Sequence, residues 1–182
     1  EIVGGFFDSI NDYESTIKTY LIAYKIYNET YWLFLAGKTS LKYNDIKSAN
    51  SYFTYCLKVG SGYGFEGFAD INLLQNQYAD ALNNYSNAYK SYSSYGNNQT
   101  DMQRLNSKIS NVIVQSELYN WNYNLENREF EKATNILNNL SDYSKDFPEI
   151  NLALAKTHFR IGNYQLSKNM LNRFIYENKT FD

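Results

Sequence analysis

One proline, one cysteine and one histidine stand in 182 residues, and each scarcity excludes something. A lone cysteine, Cys56, forbids an internal disulfide and a cysteine-based zinc cluster. A lone histidine, His158, leaves catalysis and metal binding without the partner set either needs, so a packed position is expected for it. Cys56 reads in the same way, as a buried, inert thiol. The single proline, Pro148, leaves helices almost unbroken, and alternating runs of Val, Ile and Thr are absent, which removes the strand signal. No apolar run reaches 18 residues, so no membrane-spanning helix is expected. Charge of one sign is lacking too: the formal net charge is −2, with no basic stretch to hold nucleic acid.

What is abundant is aromatic, above all tyrosine, with 19 residues. A chain of this length buries roughly 70% of its unfolded surface and folds without staples. The start, "EIVGGFFDS", has no initiator Met and no basic region before an apolar one, so it does not read as an intact signal peptide. Five Asn-x-Ser/Thr sites, at Asn28, Asn84, Asn98, Asn139 and Asn178, against roughly three or four expected by chance for 25 asparagines, lean weakly toward export. A cytoplasmic location is the default, with an extracytoplasmic one open.

The stretch "NQYADALNNYSNAYKSY" (76–92) carries Tyr78, Leu82, Tyr85, Tyr89 and Tyr92 on one helical face, with Ala81 and Ala88 beside them. Four other stretches can be laid over it. One column then reads Tyr13, Ile46, Tyr78, Phe130, Tyr164. Three residues on stand Thr16, Ala49, Ala81, Ala133, Ser167; four further, Tyr20, Phe53, Tyr85, Leu137, Leu171; then Ala23, Cys56, Ala88, Leu140, Phe174. Small residues at a fixed place let a neighbouring helix come close. The tyrosines are expected to fill the gaps between helices with their hydroxyls near water.

The first column recurs after 33, 32, 52 and 34 residues. With the turns "NDY" (11–13), "NQY" (76–78) and "GNY" (162–164), the chain resembles the tetratricopeptide repeat, a helix–turn–helix unit of about 34 residues. That resemblance covers nearly the whole length. It implies an all-α, right-handed solenoid forming one domain, in about five units over 1–28, 29–60, 61–95, 101–144 and 146–180. Each first helix should carry a small residue behind a larger one: Ala36–Gly37, Phe68–Ala69, Leu154–Ala155, and Val3–Gly4 in the first unit. That first helix would begin before residue 1, so the sequence is expected to be a fragment of a longer chain.

The interval of 52 marks an irregularity between the third and fourth units. "SSYGNNQTDMQ" (93–103) reads as a linker. Thr100 with Gln103 reads as a capping box opening a helix over about 101–125. Counting back from Phe130 puts Trp121 at a small-residue position. One extra turn residue would put Asn120 there instead, between Tyr119 and Tyr123. Asp146, Pro148 and Glu149 mark another helix start. "GSGYGFEG" (60–67) lacks the Lys-Ser/Thr ending of a phosphate loop and reads as a wide turn. Glu14, Glu29 and Asp80 are assigned to solvated faces, and no paired-carboxylate site is discernible.

The resemblance implies a non-enzymatic interaction scaffold without a cofactor, binding a peptide or protein segment in a concave groove. The groove positions carried over are Tyr31, Phe34, Lys38 and Lys42; Tyr63, Glu66, Asp70 and Leu74; and Leu152, Lys156 and Arg160. The carboxylate clamp of some members would fall on Phe34, Lys38, Gly67, Gln115 and Tyr119, where only Lys38 is basic, so it is not expected here. A ligand-sensing or self-assembling domain of a larger regulatory or surface protein is the alternative.

Overall fold

The structure is a computed structural model that describes residues 12–94 and 99–178. Val3–Gly4 therefore lies outside the described residues. The described chain holds nine α-helices and no strand. They are α1 Tyr13–Tyr27, α2 Thr30–Lys42, α3 Ile46–Lys58, α4 Gly62–Leu74, α5 Tyr78–Ser94, α6 Gln99–Glu126, α7 Phe130–Asn139, α8 Glu149–Ile161 and α9 Tyr164–Asn178. A 3₁₀ turn, Ser141–Tyr143, follows α7.

The asparagines explain the turns. Asn28, Asn44 and Asn76 adopt left-handed backbone (φ 54°, 60° and 57°), and Gly60 and Gly162 do the same at φ 76° and 93°. Asparagine and glycine tolerate that region best, so each stops one helix and releases the next. Asp12 and Asp45 then cap α1 and α3, accepting from the backbone N–H of Ser15 and Ser48 at 3.0 Å. Pro148 stands directly before α8, as expected.

The packing divides the chain into two compact units, with the boundary between Val112 and Ile113. In the first unit, Phe34, Ala49, Phe53 and Ile71 form one cluster. A second contains Ala69, Ala81, Tyr85, Ala88, Tyr92, Leu105 and Val112. The small-residue columns are buried as their spacing requires: Ala49, Ala81 and Ala88 have no exposed surface, nor has Cys56. Burial pushes the Cys56 thiol up to about 12, which keeps it protonated. Glu14, Glu29 and Asp80 are exposed.

Two expectations are corrected here. The glycine-rich stretch 60–67 is not a wide turn: Gly62, Gly64 and Gly67 are helical residues of α4. They are small because neighbours press on them. A Cβ on Gly64 would lie 2.7 Å from the Leu57 backbone nitrogen, and one on Gly67 would enter the Phe53 ring. The tyrosine hydroxyls do not all reach water either. Tyr85 and Tyr92 are 1% and 3% exposed, and their hydroxyls are spent inside the fold.

In the second unit, Val114, Trp121, Leu125, Ala133, Leu137, Leu140, Ile150 and Ala153 form the core. Trp121 is buried where the columns called for a small residue, and Asn120, Tyr119 and Tyr123 are exposed. The reading with an extra turn residue is thereby overturned. Space for the indole comes from the facing helix, which offers Ala153 and Thr157; Trp121 Nε1 donates to Thr157 Oγ1 at 2.8 Å. Thr100 lies inside α6 rather than before it, so the capping box is not formed as read. His158 is half-buried in α8, with its Nδ1 shielded from solvent.

The 28 residues of α6 account for the long interval. Its second part stands in a 34-residue register with α8: Lys156 reaches Asn122 and Arg160 reaches Glu126. Its first part, up to Val112, is the extra half-repeat and packs in the first unit.

Candidate groove and buried charge network

Two features of the first unit converge on α2 and α4. The first is a cavity of about 540 Å³ walled by Tyr20 of α1, by Leu35, Lys38, Thr39, Leu41 and Lys42 of α2, and by Asp70, Leu73 and Leu74 of α4. Four of its nine lining residues are leucines, and two are lysines. Lys42 and Leu74 are exposed on its lining, Leu74 at 63%. Such a site, apolar with a few polar groups, suits a side chain of similar character.

The second is a charge network built by helical spacing. Glu66 and Asp70 lie four apart on α4, and Arg104 and Lys108 lie four apart on α6, so both pairs sit on one face of their helix and meet. Arg104 donates from Nη2 to Glu66 Oε2 at 2.7 Å and from Nε to Oε1 at 3.1 Å. Lys108 Nζ bridges the acids, 2.8 Å from Glu66 Oε1 and 2.9 Å from Asp70 Oδ1. Lys38 Nζ reaches Asp70 Oδ2 at 2.7 Å, and Arg104 also pairs with Asp101. Three acids thus face three cations: Glu66, Asp70 and Asp101 against Lys38, Arg104 and Lys108.

Tyrosines complete the network. Tyr92 donates to Glu66 Oε2 at 2.9 Å, Tyr63 to Asp101 Oδ2 at 3.2 Å, and Tyr85 to Asp70. The desolvation of each phenol, together with the facing carboxylate, pushes Tyr63, Tyr85 and Tyr92 well above the usual tyrosine range. Desolvation also pushes Glu66 and Asp70 upward. The hydrogen bonds and charges of Arg104 and Lys108 on Glu66, and of Lys108 and Lys38 on Asp70, outweigh it and hold both below the ordinary carboxylate value. Both carboxylates are therefore ionised at neutral pH and unsuited to donate a proton.

The sequence-assigned positions separate into three sets. Lys38, Lys42, Asp70 and Leu74 meet at the cavity. Tyr31, Phe34, Tyr63 and Glu66 are turned into packing. The Phe34 ring lies 5.0 Å from that of Tyr63, under Arg104 and Lys108, and the Tyr31 ring lies tilted against Tyr63 at 5.5 Å. Glu66 is wholly buried. In the second unit, Leu152 is 43% exposed, Lys156 lies over the Trp121 ring at 5.3 Å, and Arg160 pairs with Glu126 at 2.9 Å. The acid pair, with Arg104, Lys108, Tyr85 and Tyr92 around it, escaped the sequence reading. Its trace there is the interval of 52, which announces an additional helical segment without saying where it packs.

Helices paired in series, with small residues at their crossings, define an all-α helical repeat of the solenoid class. Two crystal structures of MamA, a tetratricopeptide-type repeat protein, have the same fold. One aligns over 98% of this chain and 95% of its own at a TM-score of 0.55, the other over 97% and 88% at 0.51, both with 13% identity. No protein-family model matches the sequence, and neither does any curated protein.

Proposed function

We propose that this chain is a non-enzymatic scaffold that takes a peptide or partner-protein segment on the α2–α4 face. The observation that carries the reading is the cavity lined by four leucines, with Lys38 and Lys42 beside them. An extended segment placing an apolar side chain in the cavity and an acidic one against the lysines fits that chemistry. Lys38, Lys42 and Leu74 are the contact residues. Asp70 orients Lys38, and Tyr31, Phe34, Tyr63 and Glu66 support the face from beneath. On the second unit, Leu152, Lys156 and Arg160 offer a further exposed face of apolar and basic character. The role of Glu66, Asp70, Arg104 and Lys108 is to hold the α4 wall in place, while Lys38, whose side chain is 41% exposed, is the member of the network that also faces the cavity.

The test is affinity capture from native lysate with wild type and with Lys42→Glu/Leu74→Glu, whose folding is verified by circular dichroism. A protein retained by wild type and lost by the folded variant supports the reading; equal retention rejects this face as the site.

A further inference from the structure

Tyr24 of α1 and Tyr55 of α3 meet at the surface, hydroxyl to hydroxyl: Tyr24 donates to Tyr55 Oη at 2.9 Å. Their rings stand edge to face, 5.9 Å apart at 79°. Tyr24 is half-buried and Tyr55 is 44% exposed, so water could serve either hydroxyl, yet they serve each other. The packing beneath fixes the meeting. Tyr20, one turn before Tyr24, is buried, and Cys56, next to Tyr55, has no exposed surface. Other close tyrosines turn their hydroxyls elsewhere. Tyr63 and Tyr92, with 5.3 Å between rings, donate to Asp101 and Glu66, and Tyr13, 5.0 Å from Tyr43, donates to Asp45.

We propose that Tyr24 and Tyr55 are an oxidative crosslinking site, joined as dityrosine by a one-electron oxidant of the haem-peroxidase class. Coupling forms a carbon–carbon bond between the ring positions beside each hydroxyl, and the product carries its two hydroxyls side by side. The hydrogen bond already brings those positions together, which favours this pair over chance encounters between others. Each phenol loses one electron and one proton, the two rings couple, and the hydrogens on the joined carbons move to the oxygens as aromaticity returns. The two electrons and two protons reduce one hydrogen peroxide to two waters at the peroxidase. Exposed side chains change rotamer within nanoseconds, so the Tyr55 ring is free to turn from edge-to-face into the coupled arrangement. The bond ties the second helices of the first two repeats, 31 residues apart, in a chain whose lone cysteine denies it a disulfide. Neither tyrosine lines the α2–α4 cavity, so the site is independent of that groove.

The test treats the dilute full chain with a haem peroxidase and hydrogen peroxide, and follows the monomer by dityrosine fluorescence and by mass spectrometry of its peptides. The expected product is a monomer two hydrogen masses lighter, with the peptides of Tyr24 and Tyr55 linked. Tyr24→Phe and Tyr55→Phe each remove one hydroxyl at the surface and should keep the wild-type circular dichroism, while the monomer's dityrosine emission falls at least about fivefold. Tyr27→Phe should leave that emission unchanged, although Tyr27, at 62%, is the more exposed phenol. Unfolding the chain in urea before oxidation should remove the preference for this pair. Absence of the 24–55 linkage, undiminished emission in either folded variant, or an equal 24–55 yield from the unfolded chain overturns the proposal.

Discussion

The Phe53 ring fills the space that a side chain on Gly67 would need, so these two residues fix how closely α3 and α4 approach. Gly37 meets the same edge of that ring, at Cδ1, Cε1 and Cζ, and Phe53 has no exposed surface. Gly67→Ala should cost about 1–3 kcal/mol, the usual range for overpacking a closed core. The check is urea denaturation of Gly67→Ala, Phe53→Leu and the double variant. Because the clash is with the ring, the double variant should lose less than the sum of the single ones; strict additivity would show that the two do not interact.

Removing Lys108 leaves Glu66 and Asp70 buried with one shared cation gone. Lys108→Met should destabilise the first unit by roughly 3–5 kcal/mol, since breaking a buried pair strands its partner charge. Lys132→Met, which deletes an exposed, solvent-screened pair with Glu129, should leave stability essentially unchanged. Thermal unfolding of both variants provides the comparison.

The same carboxylates set an acid limit. Their folded values lie below the ordinary 4.5 for Glu66 and 3.8 for Asp70. A depressed folded value stabilises above the unfolded value and loses that contribution as pH falls through the folded one. The thermal midpoint should hold between pH 5 and pH 8 (about the range where both states stay ionised) and fall below about pH 4. Glu66→Gln should flatten that fall. A midpoint that drops equally in both proteins would contradict the assignment.

In the second unit, Trp121→Phe keeps an aromatic ring near Ala153 and removes the donor to Thr157 Oγ1. The expected loss is about 1 kcal/mol, the net worth of one buried hydrogen bond. Hydrogen exchange should quicken in α7 and α8 and stay unchanged in α2 and α3. Acceleration throughout the chain would refute that localisation.

The columns were legible because a helix repeats every three to four residues, and a residue such as Ala81 or Phe53 announces its burial through that period alone. Two turns were legible in "NQY" and "GNY", where Asn76 and Gly162 tolerate the left-handed backbone; Asn28 and Asn44, which do the same, carried no turn motif that the reading used. Glu66 was not. On its own helix it lies off the packing columns and looks solvent-facing. Its cover comes from Arg104 and Lys108, 38 and 42 residues later, on a half-repeat that the regular period does not foresee. Gly62 and Gly64 misled for a related reason: glycine marks a turn or a tight crossing, and only the neighbour's position, Leu57 or Tyr92, decides which. Lys38 and Leu74, both assigned to the first-helix stripe by the resemblance to the repeat, line one cavity.

The most direct test of partner capture on the α2–α4 face is site-specific photo-crosslinking. A photoreactive phenylalanine would replace Leu74, 63% exposed beside the cavity, or Val59, 52% exposed at the end of α3, with both proteins incubated in native lysate. A discrete adduct from position 74 that is absent from position 59, and that disappears with Lys42→Glu, is the outcome expected. Adducts of equal yield from both positions, or from position 59 alone, would contradict it.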